Sequence, residues 1–441
     1  MPKKPRIHRL PLLVPALLLA GGLVASGADK ETPSLQQRVD RYLQPYVDIG
    51  HLSGTLLIAH EDEVLYEKSF GLANREHLIE NTPRTRFGVG SINKPMTIVV
   101  LARLLESEKL KLTDGLNQFL PDFPRADEIT VGDLLRHSAG IAHRVTEPFD
   151  ETRPQTAASM VELAAQKPLV FDPGTDSVYS SAGFSLLARV LELAGGKPYA
   201  ALLEEHVVVP AAMVDTSDAG SRAILARRAA SYYFDSRGFV NAPPSDISYL
   251  VGAGSVFSTP RDLFSMQRAL LAGTLGQRAQ DLLIRESGSL SWNGLAHGYR
   301  AFADYDVGSG VSFVLASNIT SGALDRIRGA LPRIAAGEDV PTPEPINARA
   351  VDVDPAILAG YQGAYELRPG RNLELRVVDG RVMMEEWLLI PTAERQFFSP
   401  QDYAEITVVA GEDGEVTRLD WKIGDQVYAL PKVTPQPEAD R

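Results

Sequence analysis

One stretch decides how the chain is interpreted: it runs Phe-Gly-Val-Gly-Ser-Ile-Asn-Lys-Pro-Met-Thr over residues 87–97. Ser91 and Lys94 are three residues apart, and an apolar run from 98 to 105 follows them. Pro95 stands where a first helical turn tolerates proline, because N–H groups there have no partner within the helix. The spacing predicts that Ser91 and Lys94 share one face of a helix N-terminus.

Such a pair suits covalent catalysis. A serine hydroxyl becomes a good nucleophile when a neighbouring base takes its proton. Lysine serves as that base only if burial lowers its pKa and leaves the amine partly neutral. The alternative is a capped helix with a solvated lysine, since chance alone gives about one Ser-x-x-Lys in a chain of this composition.

Composition excludes several classes of function. The chain has 441 residues, 44% of them hydrophobic, which is enough for a large core and predicts two domains. Its net charge of −12 argues against a nucleic-acid partner. It has no cysteine, which excludes disulfides, thiol nucleophiles and a lipoprotein anchor. No His-Glu-x-x-His spacing and no phosphate-binding Gly-rich loop occurs, so we expect no metal and no cofactor.

Residues 1–28 are typical of a secretory signal peptide. A basic segment containing Lys3, Lys4, Arg6 and Arg9 precedes an apolar run over 10–24, and Ser26-Gly27-Ala28 offers small residues for cleavage. The alternative is an uncleaved membrane anchor, but prolines and a Gly-Gly pair interrupt the run. We therefore expect a periplasmic or secreted protein.

The order of elements predicts an α+β fold. A helix over 34–47 and a hairpin over 54–71 precede the Ser91 stretch, and 129–140 is typical of a helix ended by glycine. Later segments predict a capped helix starting at Pro260, strands over 298–302 and 311–318, and a helix over 324–335. Early and late strands around a helical middle suggest that the first and last strands share one sheet.

Landmarks in a fixed order carry a family resemblance. Besides the Ser91 stretch, they are Leu-Leu-Arg-His-Ser-Ala-Gly (134–140), Phe-Asp-Pro-Gly (171–174) with Tyr-Ser-Ser (179–181), Ala-Met-Val-Asp-Thr-Ser (212–217) and Gly-Ser-Val-Phe-Ser-Thr-Pro-Arg-Asp-Leu (254–263). Together they resemble the serine β-lactamase and penicillin-binding hydrolases of the class C type, which include D-Ala-D-Ala carboxypeptidases and esterases. The resemblance covers about 35–335. It implies an antiparallel sheet flanked by helices plus an all-helical subdomain, with the active site between them.

The resemblance also implies roles for single residues. Ser91 would be the acylated nucleophile, and Lys94 and Tyr179 would share the proton transfers. The oxyanion hole would consist of the backbone N–H groups of Ser91 and Leu295. The substrate or oxyanion-binding set would be completed by residues of the second and third motifs, namely Ser181, Trp292, Asn293 and Gly294.

Two of these residues depart from the family pattern. Ser181 stands where the second motif, Tyr-x-Asn, has asparagine, so one hydroxyl replaces an amide with two donors. Trp292 stands where the third motif has lysine or histidine, and it offers no titratable charge for a substrate carboxylate. We expect Trp292 to form an apolar wall of the cleft or to plug it. His297 is expected to be a turn residue, the alternative being that it partly replaces the missing cation.

A proline-rich stretch over 341–347 predicts a linker after a hydrolase domain at 29–340. Beyond it, 348–431 shows short alternating strands, and Asp379-Gly380 is a hairpin signal. This region predicts a small antiparallel β domain, which resembles the lipocalin-like module often attached to such hydrolases. Residues 432–441 are expected to be a loose tail.

The sequence therefore predicts an exported serine hydrolase that forms an acyl-enzyme on Ser91 and hydrolyses an amide or ester of a small-molecule or peptide substrate. The alternative is a catalytically weakened or non-enzymatic protein that binds cell-wall peptides, with cell-wall association as a further expectation. The intact Ser-Lys-Tyr set favours the enzyme, whereas Ser181 and Trp292 favour the binding protein. Neither substrate identity nor oligomeric state follows from the sequence, since this type of fold hosts several chemistries.

Overall fold

The computed structural model of the chain describes residues 33–433, except 146–149, 219, 221–222, 236–237, 285–287, 347 and 386. The predicted signal peptide (1–28) and most of the predicted tail (434–441) lie outside the described residues. Among the helices that are described, none has the length and apolarity needed to cross a membrane.

Helices fill the middle of the described chain. In chain order the α-helices are α1 (Leu35–Asp48), α2 (Asn93–Glu106), α3 (Val131–Leu135), α4 (Ala157–Ala164), α5 (Ser181–Gly195), α6 (Tyr199–Leu203), α7 (Pro260–Leu271), α8 (Gln277–Leu283), α9 (Ala323–Ala335) and α10 (Pro355–Tyr361). Short 3₁₀-helices cover Gly90–Ile92, Leu116–Gln118 and Ile247–Leu250, and a π-helical turn covers Glu204–Val208.

Strands lie mainly at the two ends of the described chain. They are β1 (Gly54–His60), β2 (Glu63–Phe70), β3 (Leu72–Asn74), β4 (Ile79–Glu80), β5 (Phe87–Gly88), β6 (Tyr232–Asp235), β7 (Gly238–Asn241), β8 (Phe257–Ser258), β9 (Leu290–Ala296), β10 (Tyr299–Asp306), β11 (Val311–Ser317), β12 (Gly363–Arg368), β13 (Arg371–Val378), β14 (Arg381–Met384), β15 (Trp387–Ala393), β16 (Gln396–Ser399), β17 (Ala404–Ala410), β18 (Val416–Ile423) and β19 (Gln426–Pro431).

The main sheet is antiparallel and has the order β2-β1-β11-β10-β9. The first and last strands do share one sheet, since β1 pairs with β11 in the register Leu56↔Leu315. Alternation along β1 places Leu57 in one core, beneath the helical region, and Leu56 in a second core, beneath α1 and α9. The predicted α+β fold is confirmed, and β9 is left as an edge strand facing the start of α2.

Local signals account for most element ends. Ser34 caps α1 and forms a capping box with Gln37. Thr259 caps α7, and Pro260 stands at its first position, as predicted. The helix predicted over 129–140 is shorter than expected and ends at Leu135. The chain turns there because His137 takes a left-handed conformation (φ 59°), which no periodicity in the sequence indicates.

The C-terminal strands β12–β19 form a second antiparallel sheet in sequence order. A bridge between Tyr365 and Lys432 joins its first and last strands, so the sheet closes into a barrel with its own apolar interior. Asp379 and Gly380 form the predicted hairpin turn, both with positive φ. The first strand of this sheet, β12, follows α10, which occupies the chain up to Tyr361. The domain boundaries at 340, 347 and 431 remain predictions.

Candidate active site

The predicted nucleophile lies in a tight turn just before a helix. Ser91 is in the 3₁₀-helix Gly90–Ile92, and Lys94 is the second residue of α2. Gly90 has φ +51°, and a Cβ there would lie 2.7 Å from the backbone nitrogen of Leu295. Only glycine allows this turn to pack so closely against β9. The sequence pair is therefore brought together as predicted, with Ser91 in the turn rather than in the α-helix.

The side chains of Tyr179 and Ser181 and the carbonyl group of Ala253 converge on the Ser91–Lys94 pair. The Tyr179 hydroxyl donates a hydrogen bond to Ser91 Oγ at 2.7 Å. Lys94 Nζ lies 3.2 Å from Ser91 Oγ, 3.3 Å from Ser181 Oγ and 3.0 Å from the carbonyl oxygen of Ala253. Ser181 is the first residue of α5, so its hydroxyl reaches the lysine from the end of a helix. The structure thus places Ser181 where the resemblance implied an asparagine.

Burial makes Lys94 a usable base. Its side chain is 5% exposed, and loss of solvation lowers its pKa to about 7. A neutral amine has two N–H groups and one lone pair. The carbonyl of Ala253 can only accept, so it takes one N–H, and Ser181 can take the other. The lone pair is then left for the proton of Ser91.

Tyr179 keeps its proton. Burial raises the pKa of its phenol, although the ring remains half-exposed to the cleft. Its ring lies 4.7 Å from Lys94 Nζ, with the amine over the ring face. The phenol therefore acts as a hydrogen-bond donor to Ser91 in the resting site.

Two histidines hold the segment that carries Tyr179. His137 Nδ1 accepts the backbone N–H of Ser180 at 3.2 Å, and His143 Nδ1 accepts that of Ser181 at 3.2 Å. Their rings lie 4.8 and 5.4 Å from the Tyr179 ring. Burial lowers the pKa of His137 to about 4, so its imidazole is neutral near pH 7, and the N–H of Ser180 selects the tautomer without a proton on Nδ1. Neither histidine was among the predicted site residues, although His137 lies within the landmark at 134–140, which was the sequence signal for its role.

The edge of β9 supplies the second predicted side of the oxyanion hole. His297 (φ 34°) and Gly298 (φ 82°) form a two-residue turn between β9 and β10, so Ala296 and Tyr299 are a hydrogen-bonded pair. Alternation then directs the N–H of Leu295 away from β10, toward the Ser91 turn. A Cβ on Gly294 would lie 3.1 Å from the backbone nitrogen of Ser91. The N–H of Leu295 and that of Ser91 are therefore neighbours.

The predictions for Trp292 and Asn293 need correction. Trp292 lies on the same face of β9 as Gly294 and packs into the main core at 7% exposure, so it neither walls nor plugs the cleft. Asn293 points to the opposite face, where its side-chain oxygen accepts a hydrogen bond from Arg300. Neither side chain is positioned to contact substrate beside Ser91. The alternation of side chains along β9 could be predicted from the sequence, but the packing that buries the Trp292 indole could not.

His297 occupies a turn, as expected, and lines the cleft. Its Nε2 lies 2.5 Å from the Tyr249 hydroxyl and 3.2 Å from Glu151 Oε2. Burial holds the pKa of His297 below its ordinary value, against the pull of Glu151. The imidazole is therefore neutral near pH 7 and does not replace the cation that is missing at Trp292.

Ser91 and His297 line one cleft of about 900 Å³, and the side chains of Tyr179, Ser181 and Leu295 line it as well. The cleft is large enough for a drug-sized or dipeptide-sized ligand. No group of three or more His, Asp or Glu side chains within the described ranges is arranged to hold a metal ion.

The family model described as Beta-lactamase matches residues 39–336. The chain belongs to the β-lactamase family. The match covers the main sheet, the helical region and every residue of the Ser91–Lys94–Tyr179 network, and the predicted resemblance is confirmed. Homologues in this superfamily are hydrolases that resemble penicillin-binding proteins.

Among curated relatives, the putative penicillin-binding protein PbpX of Bacillus subtilis is 28% identical over 309 residues, which are 66% of this chain and 76% of the relative. The teichoic acid D-alanine hydrolase of Staphylococcus aureus is 25% identical over 227 residues, covering 52% of this chain and 55% of the relative. A D-amino acid amidase structure from Ochrobactrum anthropi superposes with a TM-score of 0.61 at 20% identity, covering 69% and 98% of the two chains. That similarity shows the common fold.

Proposed function

We propose that this β-lactamase-family protein is an exported serine hydrolase that forms an acyl-enzyme on Ser91 and hydrolyses an amide or ester. The observation that carries the proposal is the convergence of Tyr179 and a Lys94 with a pKa of about 7 on one serine hydroxyl. A buried lysine poised near neutrality matches what a general base needs. A solvated lysine beside a capping serine would not show this shift in pKa.

Acylation follows from these contacts. Ser91 Oγ attacks the substrate carbonyl carbon while its proton moves to the lone pair of Lys94. The carbonyl oxygen, now negative, accepts hydrogen bonds from the N–H groups of Ser91 and Leu295. Tyr179 then donates its proton to the leaving nitrogen or oxygen and recovers one from Lys94. The carbon–heteroatom bond breaks and leaves an ester on Ser91.

Deacylation reverses the roles with water as the nucleophile. Water loses a proton to the Lys94–Tyr179 pair and attacks the ester carbon, and Ser91 Oγ leaves with a proton returned by the same pair. The reaction therefore needs only groups that this chain supplies. No step calls for a charged residue at position 292.

The residues of β9 and its following turn favour substrates without a carboxylate beside the scissile bond. Trp292 is buried, and His297 is held below its ordinary pKa, so β9 offers no cation for such a group. Two of the similar proteins are a teichoic acid D-alanine hydrolase and a D-amino acid amidase. D-Aminoacyl esters and amides are therefore the first substrates to test, ahead of β-lactams.

Export is part of the proposal. The basic, apolar and small-residue segments within residues 1–28 support it, and a substrate in the cell wall would be reached from outside the cytoplasm. Cleavage after the small residues near Ala28 is the expected form. Sequencing of the N-terminus of protein recovered from the periplasm or medium tests this expectation.

The decisive experiment measures turnover of p-nitrophenyl acetate, D-alanine p-nitroanilide and the chromogenic cephalosporin nitrocefin by the purified full chain and by Ser91→Ala. We expect the ester and the anilide to be hydrolysed, nitrocefin to be slower, and all turnover to disappear in the variant. Ser91→Ala that retains wild-type turnover would overturn the mechanism.

A second candidate, a non-enzymatic protein that binds cell-wall peptides, is favoured by the serine at position 181 and the tryptophan at position 292. It predicts no turnover of any substrate and no covalent adduct on Ser91. Saturable binding of a wall peptide by the wild type and by Ser91→Ala with equal affinity would then support it.

A further inference from the structure

The catalytic cleft has a wall that comes from the C-terminal barrel. Met383 of β14 and Trp387 and Leu388 of β15 line the same cavity as Ser91 and Leu295. The turn between β16 and β17 adds Pro400 and Gln401 to this wall. A region that carries no catalytic motif of its own thus bounds the space in which a substrate sits.

The barrel is packed into the catalytic region, so this wall has a fixed position. Tyr403 is fully buried, its hydroxyl lies 3.0 Å from His51 Nδ1, and it accepts the backbone N–H of Ile346 at 3.1 Å. Arg326 of α9 donates to the carbonyl oxygen of Tyr403 at 2.8 Å. Phe398 of the barrel belongs to the same core as α1 and α9. A tethered module would lack such shared packing.

A close backbone contact adds to this packing. The N–H of Gly322, which precedes α9, donates to the carbonyl oxygen of Pro400 at 2.9 Å. A Cβ on Gly322 would lie 2.4 Å from the carbonyl oxygen of Gln401, so the approach requires glycine. The turn that contributes to the wall is therefore held directly by the catalytic region.

The wall is mainly apolar. Trp387 and Met383 are partly buried and both line the cavity. Trp387 also packs against the apolar interior of the barrel, which helps to fix its position. Leu295 on β9 is 46% exposed and lines the same cavity. Arg381 also lines the wall, but it already has an interaction partner within the protein.

We propose that Trp387 and Met383 form a subsite that binds an apolar substituent of the substrate, on the part remote from the scissile carbonyl. The inference rests on the proposed hydrolase function and assigns a substrate class to it: amides or esters that carry an alkyl or aryl group. The barrel then determines specificity, while the Ser91 network performs the chemistry. Apolar contact favours binding by about fourfold for each methylene removed from water.

The test measures how fast two fluorophosphonates label Ser91, one with an ethyl chain and one with an octyl chain, by intact-mass spectrometry. In each reaction Ser91 Oγ bonds to phosphorus and fluoride leaves. For the wild type we expect the octyl reagent to react faster. For Trp387→Ala we expect the octyl-to-ethyl ratio to fall about tenfold, since contact with two or more methylenes is lost. The ethyl rate should change less than threefold.

Tyr428→Ala is the matched control, because Tyr428 is an exposed aromatic residue on β19 of the same barrel and does not line the cleft. The octyl-to-ethyl ratio of labelling rates for Tyr428→Ala should equal that of the wild type. Met383→Ser is a second variant in case Trp387→Ala does not fold, and it should lower the ratio in the same direction. An unchanged ratio in a folded wall variant overturns the inference. Absence of any Ser91-dependent labelling would instead overturn the proposed function.

Discussion

The two sides of the cleft differ in how closely they keep the expected chemistry. On the helical side, Ser91, Lys94 and Tyr179 form a complete network with contacts of 2.7 and 3.2 Å to the nucleophile. On the sheet side, β9 keeps its backbone, with Gly294 and Leu295 against the Ser91 turn, but Trp292 turns its indole into the core. In the proposed mechanism, proton transfer depends on the first side, whereas the second side contributes the N–H of Leu295 and determines whether a charged substrate is recognised.

This contrast shows that proton transfer and recognition of a charged substrate are separable in this fold. Proton transfer needs a buried amine, a phenol and a hydroxyl within hydrogen-bond reach, and the spacing of one helix and one loop supplies them. Recognition of a carboxylate needs a cation at one position of an edge strand. A single substitution on β9 can therefore remove recognition of a carboxylate and leave proton transfer at Ser91 intact.

The largest expected effect is on the helical side. Ser91→Ala should lower kcat/KM for p-nitrophenyl acetate by about 10⁴-fold or more, because the proposed acyl-enzyme forms on the Ser91 hydroxyl. Ser309→Ala is the control, because it removes an exposed hydroxyl on the β10–β11 turn that does not line the cleft. Its kcat/KM should stay within about threefold of the wild-type value. Equal losses in both variants would contradict the role of Ser91.

The next effect tests Lys94 by pH. The base works only when it is neutral, and its pKa is about 7, so kcat/KM should rise about tenfold per unit below that pH and level off above it. Lys94→Met should lower kcat/KM by about 10²- to 10⁴-fold and remove this dependence. Steady-state ester hydrolysis between pH 5.5 and 9.5 gives both results. A rise that continues to pH 9.5 in the wild type would show a lysine with its ordinary pKa.

Trp292 tests the sheet side through stability. Trp292→His removes a buried indole and leaves a partly filled cavity, which should lower the free energy of unfolding by about 2–4 kcal/mol in urea denaturation. Trp292→Phe keeps most of the apolar volume and should cost less than half as much. Acylation by benzylpenicillin should not increase in Trp292→His. A gain in acylation with unchanged stability would place the side chain in the cleft after all.

The smallest effect concerns Ser181, which lies on the helical side at the start of α5. Ser181→Ala removes one hydrogen bond to Lys94 and should lower kcat/KM about fivefold. Ser181→Asn restores the family residue and should stay within about threefold of the wild type or exceed it. A loss larger in Ser181→Asn than in Ser181→Ala would mean that the pocket around Lys94 has no room for an amide.

The sequence predicted the helical side well because its signals are local. The three-residue spacing of Ser91 and Lys94, the early Pro95 and the following apolar run all lie within α2 and the turn that precedes it. Tyr179 was found through a motif, and its approach to Ser91 was implied by resemblance. Alternating strands and the Asp379-Gly380 turn likewise predicted the C-terminal sheet.

The sheet side was harder to predict because its side chains depend on packing between distant segments. Periodicity puts Trp292 and Gly294 on one face of β9, yet the contact between Gly294 and the Ser91 turn decides that this face is core. On the helical side, the role of His137 was equally hard to predict, because its backbone is left-handed and its ring reaches Tyr179 through tertiary contacts. The contribution of Trp387 to the cleft depends on how the barrel docks, which no local pattern encodes.

The most direct test of the contrast is intact-mass spectrometry of the full chain after incubation with a fluorophosphonate and, separately, with benzylpenicillin. The account predicts complete fluorophosphonate labelling that disappears in Ser91→Ala, and a penicillin adduct that forms far more slowly. Rapid acylation by penicillin would contradict the absence of carboxylate recognition on β9. No fluorophosphonate adduct on the folded wild type would contradict the claim that Ser91 is an activated nucleophile.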